Sequence, residues 1–131
     1  MGVKRILLAE DDLDDRMLFK SFLDHRADID IMTIAENGVV LFDILEQKKD
    51  GEQLPHLIIL DQNMPKRNGL QTLQMLKSTE RYANIPVFIY STYADDKLRN
   101  ECMVNGAFDV MTKPITEDGY NKMIEVFLRA I

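Results

Sequence analysis

Short apolar runs alternate with longer stretches whose apolar residues recur at helical spacing, from one end of the chain to the other. The first run, Ile6-Leu7-Leu8-Ala9, stops in the acids Glu10-Asp11-Asp12. From Leu13 to about His25, apolar residues at 13, 17, 18, 22 and 23 form a stripe that predicts an amphipathic helix. Ile29 to Ala35 is rich in β-branched residues and ends at the turn signal Glu36-Asn37-Gly38, which predicts a second strand. Val39, Val40, Leu41, Ile44 and Leu45 predict a second helix, followed by the polar stretch Gln47 to Gln53. Leu57-Ile58-Ile59-Leu60, the most hydrophobic run, also ends in an acid, Asp61. Leu70, Leu73 and Leu76 mark a third helix. Pro86 sets off the strand Val87-Phe88-Ile89-Tyr90, which ends at Ser91-Thr92. A fourth helix is predicted from Asp95 to Asn105, stopped by Gly106, and a fifth strand from Phe108 to Thr112, closed by Lys113-Pro114. Apolar positions 120, 123, 124, 127, 128 and 131 give the last helix the cleanest stripe in the chain.

Five strand–helix repeats with continuously apolar strands imply a parallel α/β sheet of five strands, doubly wound as (βα)5, with helices on both faces and right-handed crossovers. The chain of 131 residues is read as a single domain, residues 1–131, with no linker and no residue left for an effector domain. A domain of this length buries roughly two-thirds of the surface its unfolded chain exposes, so it needs no disulfide or structural metal to fold. The single cysteine, Cys102, agrees with that and with a cytoplasmic location.

Charge excludes some partners. With 16 Lys and Arg against 22 Asp and Glu, the net charge is −6, and no basic cluster is interleaved with aromatics, so direct nucleic-acid binding is not expected. The first apolar run is too short for a signal-peptide core, no segment approaches the ~20 apolar residues of a membrane span, and Arg5-Ile6 does not complete a myristoylation signal after Gly2.

In open α/β sheets ligands bind outside the carboxyl ends of the strands. Glu10, Asp11 and Asp12 follow the first strand, Asp61 the third, Ser91 and Thr92 the fourth and Lys113 the fifth. Each has a bland reading alone: acids suit a helix N-terminus, Asp61 suits a turn, Ser91-Thr92 would cap the fourth helix, and Lys113 would be a surface charge. Together they place carboxylates, hydroxyls and an ammonium along one sheet edge. Crowded carboxylates repel unless a cation sits among them, and hard oxygen ligands favour Mg²⁺ or Mn²⁺. An Asp beside such a cation can attack phosphorus and form an aspartyl phosphate, with a lysine and a hydroxyl neutralising the phosphoryl oxygens.

At this point the chain resembles the receiver domain of two-component response regulators, and specifically a stand-alone, CheY-like regulator of flavodoxin-like fold. The motifs are Ile6 to Asp12, Leu60-Asp61-Gln62-Asn63-Met64-Pro65 with Gly69, Ser91-Thr92, and Thr112-Lys113-Pro114. The resemblance implies that Asp61 is the phosphoacceptor and that Asp11 binds Mg²⁺ directly, Glu10 through water, with Asp61 and the backbone carbonyl of Asn63 completing the ligands. It also implies Ser91 as the switch hydroxyl, Lys113 as the phosphoryl-pairing ammonium, Asp12 as the cap of the first helix and a cis Lys113–Pro114 bond. The implied function is phosphorelay signalling: a histidine kinase or phosphotransfer protein donates to Asp61, and the surface of the fourth helix, fifth strand and fifth helix switches for a downstream protein or a homodimer. Met103, Met111 and Met123 are candidate contacts there. On this reading the chain is no metabolic enzyme and catalyses only its own phosphorylation and dephosphorylation.

Four positions depart from the family pattern. Thr92 stands where Ala or Gly is common, which narrows access to the phosphate. Val110 replaces the usual Tyr or Phe, so a coupled hydroxyl–aromatic movement is not expected. Tyr93 is placed to cover the phosphoryl group and slow hydrolysis. Gln47 to Gln53 lengthens the loop before the third strand, as in single-domain regulators associated with phytochrome-type kinases. Competing readings are weaker. An aspartate-nucleophile phosphatase carries a second Asp where Asn63 stands. A nucleotide-binding module needs a phosphate loop where these acids stand. A degenerate receiver acting only as a binding module would not need the complete set Glu10, Asp11, Asp61, Ser91 and Lys113.

Overall fold

The computed structural model describes residues 2–49 and 53–131. Strands β1 (Lys4–Ala9), β2 (Ile29–Ile31), β3 (Leu57–Asp61), β4 (Val87–Ser91) and β5 (Asp109–Thr112) alternate with helices α1 (Leu13–Leu23), α2 (Gly38–Glu46), α3 (Gly69–Lys77), α4 (Asp96–Val104) and α5 (Glu117–Leu128). The strands form one parallel sheet in the order β2-β1-β3-β4-β5. This is the (βα)5 architecture expected from the alternation.

Period-two alternation sorts each strand's side chains between two cores. Leu7, Ala9, Ile58, Leu60, Val87 and Ile89 face Leu41 and Leu45 of α2, Leu73 and Leu76 of α3, and Cys102 of α4. Ile6, Leu8, Leu57, Ile59, Phe88 and Tyr90 face Phe19 and Leu23 of α1 and Tyr120, Met123, Ile124 and Phe127 of α5. Full burial of each such side chain stabilises the fold by roughly 1.5–3 kcal/mol, which is why β1, β3 and β4 read as unbroken apolar runs.

Each helix opens on a capping side chain: Asp12, Asn37, Asn68, Asp95 and Thr116 accept from the backbone amides of Asp14, Val40, Gln71, Leu98 and Gly119. Asp12 therefore caps α1 as expected. Asp95, not Ser91-Thr92, caps α4, which leaves the Ser91 hydroxyl outside the helix's hydrogen bonding. Gly106, at φ 98°, ends α4 in a conformation that an L side chain adopts only with strain.

Three expectations need correction. The second strand is shorter than Ile29–Ala35 because the register slips: β1 advances three residues, from Ile6 to Ala9, while the edge segment advances four, from Ile31 to Ala35. The extra residue breaks the ladder at the sheet edge in the manner of a bulge. No cis peptide occurs among the described residues, so Lys113–Pro114 is trans, the isomer that X–Pro bonds favour by default. Met123 is buried in the α1–α5 core and offers no partner contact; Met103 is exposed and Met111 half-buried. Of the polar stretch Gln47 to Gln53, residues 50–52 lie outside the described residues.

Candidate functional site

The sheet order reverses direction between β1 and β3, and the crevice beyond the carboxyl ends of these two strands is where a doubly wound sheet offers a site. Glu10 leaves β1 directly into it, and Asp61 is the last residue of β3. Glu10 and Asp61 are buried and Asp11 is exposed, yet one carboxylate oxygen from each lies within 4.8 Å of the others. Asn63 follows at the loop, its amide donating to Asp61 Oδ1 at 3.3 Å.

Lys113 joins the cluster from the end of β5. Its ammonium lies 2.9 Å from Glu10 Oε1, 2.8 Å from Asp15 Oδ2 and 3.2 Å from Asp61 Oδ1. Burial works against its charge, but the hydrogen bonds to Asp15 and Glu10 and the nearby carboxylates raise its pKa above the ordinary lysine value. Asp61 moves in the other sense from a carboxylate's ordinary acidity. Burial first, then the neighbouring Glu10, push its carboxyl up to about 8, with Lys113 pulling back. One ammonium shared by three acids leaves the cluster short of positive charge. An all-oxygen donor set with that deficit fits a hard divalent cation rather than a soft one.

Ser91 ends β4 beside this cluster, buried, with its hydroxyl 3.3 Å from both the backbone nitrogen and the backbone carbonyl of Tyr93. The Lys113 amide donates to the Ser91 carbonyl at 2.9 Å, which sets the two strand ends side by side. Thr92 and Tyr93 are exposed, Tyr93 at 76%. Val110 is buried and carries no ring to move; α4 is tied to β5 instead by Arg99, which reaches Asp109 Oδ1 at 2.8 Å and the Val110 carbonyl at 2.9 Å.

Two participants were not singled out from sequence. Asp15, in the first turn of α1, belongs to the run of acids around the helix N-terminus, which is visible in the sequence, but nothing there separates it from its neighbours. Tyr90 read as one more apolar strand residue, yet its hydroxyl donates to Glu10 Oε1 at 2.7 Å and its ring lies under the Lys113 ammonium, 5.0 Å from the centroid.

Residues 6–125 match the response regulator receiver domain family. Among curated proteins, the chain is 30% identical over 129 residues to a protein-glutamate methylesterase/protein-glutamine glutaminase of Clostridium acetobutylicum; the match takes in 97% of this chain and 35% of that protein. The chain thus spans about a third of that relative's length. Among solved structures it is similar to the Mn²⁺-bound form of response regulator Rcp1, at 26% identity and TM-score 0.78 over 94% of this chain and 90% of that one. It shares its fold with the phosphorylated cyanobacterial phytochrome response regulator RcpA, at 23% identity and TM-score 0.85, covering 99% and 97% of the two chains. No helix among the described residues is long and apolar enough to cross a membrane.

Proposed function

The chain belongs to the response regulator receiver domain family, the family of two-component phosphorelay signalling, and from that premise we propose that Asp61 takes a phosphoryl group from a histidine kinase or a phosphotransfer protein. The observation that carries this reading is the pairing of a buried carboxylate and a half-buried ammonium, Asp61 and Lys113, 3.2 Å apart at the carboxyl edge of the sheet beside Glu10, Asp11 and Asp15.

In the proposed reaction a carboxylate oxygen of Asp61 attacks the phosphorus of a phosphohistidine. The phosphorus–nitrogen bond breaks, and the imidazole of the donor leaves with its electron pair. Lys113 pairs with the phosphoryl oxygens as their charge builds. Mg²⁺ is the proposed cation, held by Glu10, Asp11, Asp61 and the Asn63 carbonyl, and it would offset the crowded carboxylates and draw charge from the phosphoryl oxygens. The product carries more negative charge than the carboxylate it replaces and new acceptor oxygens. Ser91, whose hydroxyl makes only long contacts to the Tyr93 backbone, is the group that turns toward them. The β4–α4 loop follows, and the surface of α4, β5 and α5 changes its preferred protein partner. Catalysis extends only to the domain's own phosphorylation and dephosphorylation.

The test is intact mass after incubation with Mg²⁺ and a small phosphodonor. One added phosphoryl group, lost in Asp61→Asn and in chelator-treated protein, is expected. No addition to protein that binds Mg²⁺ would leave a binding module. Donor turnover without a retained phosphoryl group would make the site a phosphatase.

A further inference from the structure

Glu10 is wholly buried, and its two oxygens are unequally engaged. Oε1 accepts from the Tyr90 hydroxyl at 2.7 Å and from Lys113 at 2.9 Å, while Oε2 accepts only the long 3.2 Å bond from the Asp12 amide. A carboxylate oxygen has two lone pairs, so Oε1 is fully committed while Oε2 keeps spare accepting capacity. Tyr90 touches both members of the Glu10–Lys113 pair: its hydroxyl binds the acid and its ring faces the ammonium. It adds no charge to either.

We propose that Tyr90 is a positioning residue: its hydroxyl shares Glu10 Oε1 with Lys113, so that Lys113 can leave for the phosphoryl group without stranding a buried carboxylate. This deepens the proposed reading of Asp61 as phosphoacceptor and rests on it. Without the hydroxyl, Oε1 has the ammonium alone, and a buried carboxylate with one strong partner releases it reluctantly. With the hydroxyl, Glu10 keeps a charge-assisted bond in either position of Lys113. The ring holds the path of the ammonium by cation–π attraction in both states.

Tyr90→Phe removes the hydroxyl and keeps the ring and its packing. Tyr120→Phe is the matched control, because the Tyr120 hydroxyl is also buried but has no hydrogen-bond partner among the described residues. Two dissociation constants are measured for wild type and both variants: that of Mn²⁺, from the free-ion electron paramagnetic resonance signal, and that of beryllofluoride, a phosphoryl analogue, at saturating Mn²⁺. Thermal unfolding verifies that each variant folds. The expected result is a split: Tyr90→Phe weakens beryllofluoride roughly tenfold, the scale of one hydrogen bond to a charged group, and changes Mn²⁺ affinity less than about threefold, while Tyr120→Phe changes neither. Unchanged beryllofluoride affinity in Tyr90→Phe overturns the inference. So does an equal loss of both affinities, which would make Tyr90 a support of the cation site rather than of Lys113. Failure of the wild type itself to bind beryllofluoride removes the phosphoacceptor reading first, and is told apart because it precedes any comparison of variants.

Discussion

Asp61 is held as a carboxylate only at a cost. Burial and Glu10 raise its carboxyl from the ordinary 3.8 to about 8, so in the absence of a cation the folded protein favours the protonated acid. Between those two pH values the native state binds a proton that the unfolded chain does not. The stability contribution is therefore complete below pH 3.8 and is lost as pH rises toward 8. Asp61→Asn removes that slope. In metal-free buffer near pH 8 the variant is expected to be more stable than wild type by roughly 1–2 kcal/mol, while accepting no phosphoryl group. Mg²⁺ should narrow the gap by stabilising wild type more than the variant. Urea melts across pH 5–8, with and without Mg²⁺, read this directly; parallel pH profiles would show that the crowding has no energetic consequence. Tyr93 makes a second prediction at this scale. Its ring is exposed while its backbone meets the Ser91 hydroxyl, so it is free to close over the phosphoryl group. Tyr93→Ala is expected to shorten the phosphoryl half-life severalfold, and an unaltered decay of labelled phosphoprotein would count against that cover. The acids and the lysine were legible in sequence because strand ends converge. Tyr90 was not, because a phenol in an apolar run looks like core until its partner across the sheet is known. Asp15 looked like one more acid on a helix N-terminus.

The elements themselves were readable wherever burial is two-sided. β1, β3 and β4 show as unbroken apolar runs because helices cover both faces, and α5 shows as a stripe because one face is covered. The edge segment after Ile31 was misread because a register slip leaves its composition strand-like while breaking its ladder. The contact between α2 and α3 was also invisible, since it depends on an absence. Gly38, the first residue of α2, lies where a Cβ would collide with the Thr72 hydroxyl and crowd the Arg67 carbonyl, which the Gly38 amide meets at 3.4 Å. Gly38→Ala therefore forces α2 away from α3 and is expected to destabilise the protein by about 1–3 kcal/mol. Adding Thr72→Ala removes the nearest clashing atom, at the expense of the Thr72 hydroxyl's 2.7 Å bond to the Asn68 carbonyl. The double variant should recover part of the loss relative to the sum of the singles. Strict additivity in chemical melts would mean that the Thr72 contact does not set the spacing of the two helices.

At the scale of the whole molecule, the proposed function requires that a charge placed at Asp61 reach α4 and β5 although Val110 offers no ring to swing inward. The structure offers a different tie. Arg99, in the middle of α4, spans to the Asp109 carboxylate and the Val110 carbonyl, so helix and strand are fastened by one guanidinium beyond the Ser91–Lys113 strand ends. Arg99 and Asp109 are both partly exposed, so the ion pair is worth little as stability, about 1 kcal/mol or less. Its geometry matters more, because one guanidinium nitrogen with two partners on one strand sets the distance between the elements. If α4 moves with the loop after Ser91, Arg99 must carry β5 along or let go. In wild type, beryllofluoride with Mg²⁺ is then expected to change amide exchange both in the segment from Thr92 to Asn105 and in β5. Arg99→Ala should cut the two apart: the β4–α4 loop still responds to the phosphoryl analogue, because Ser91 is untouched, but the response in β5 is lost or greatly reduced. Hydrogen exchange by mass spectrometry resolves the two segments as separate peptides. A β5 response that persists undiminished in Arg99→Ala would send the coupling through the Ser91 carbonyl and the Lys113 amide instead, along the strand ends rather than through the helix.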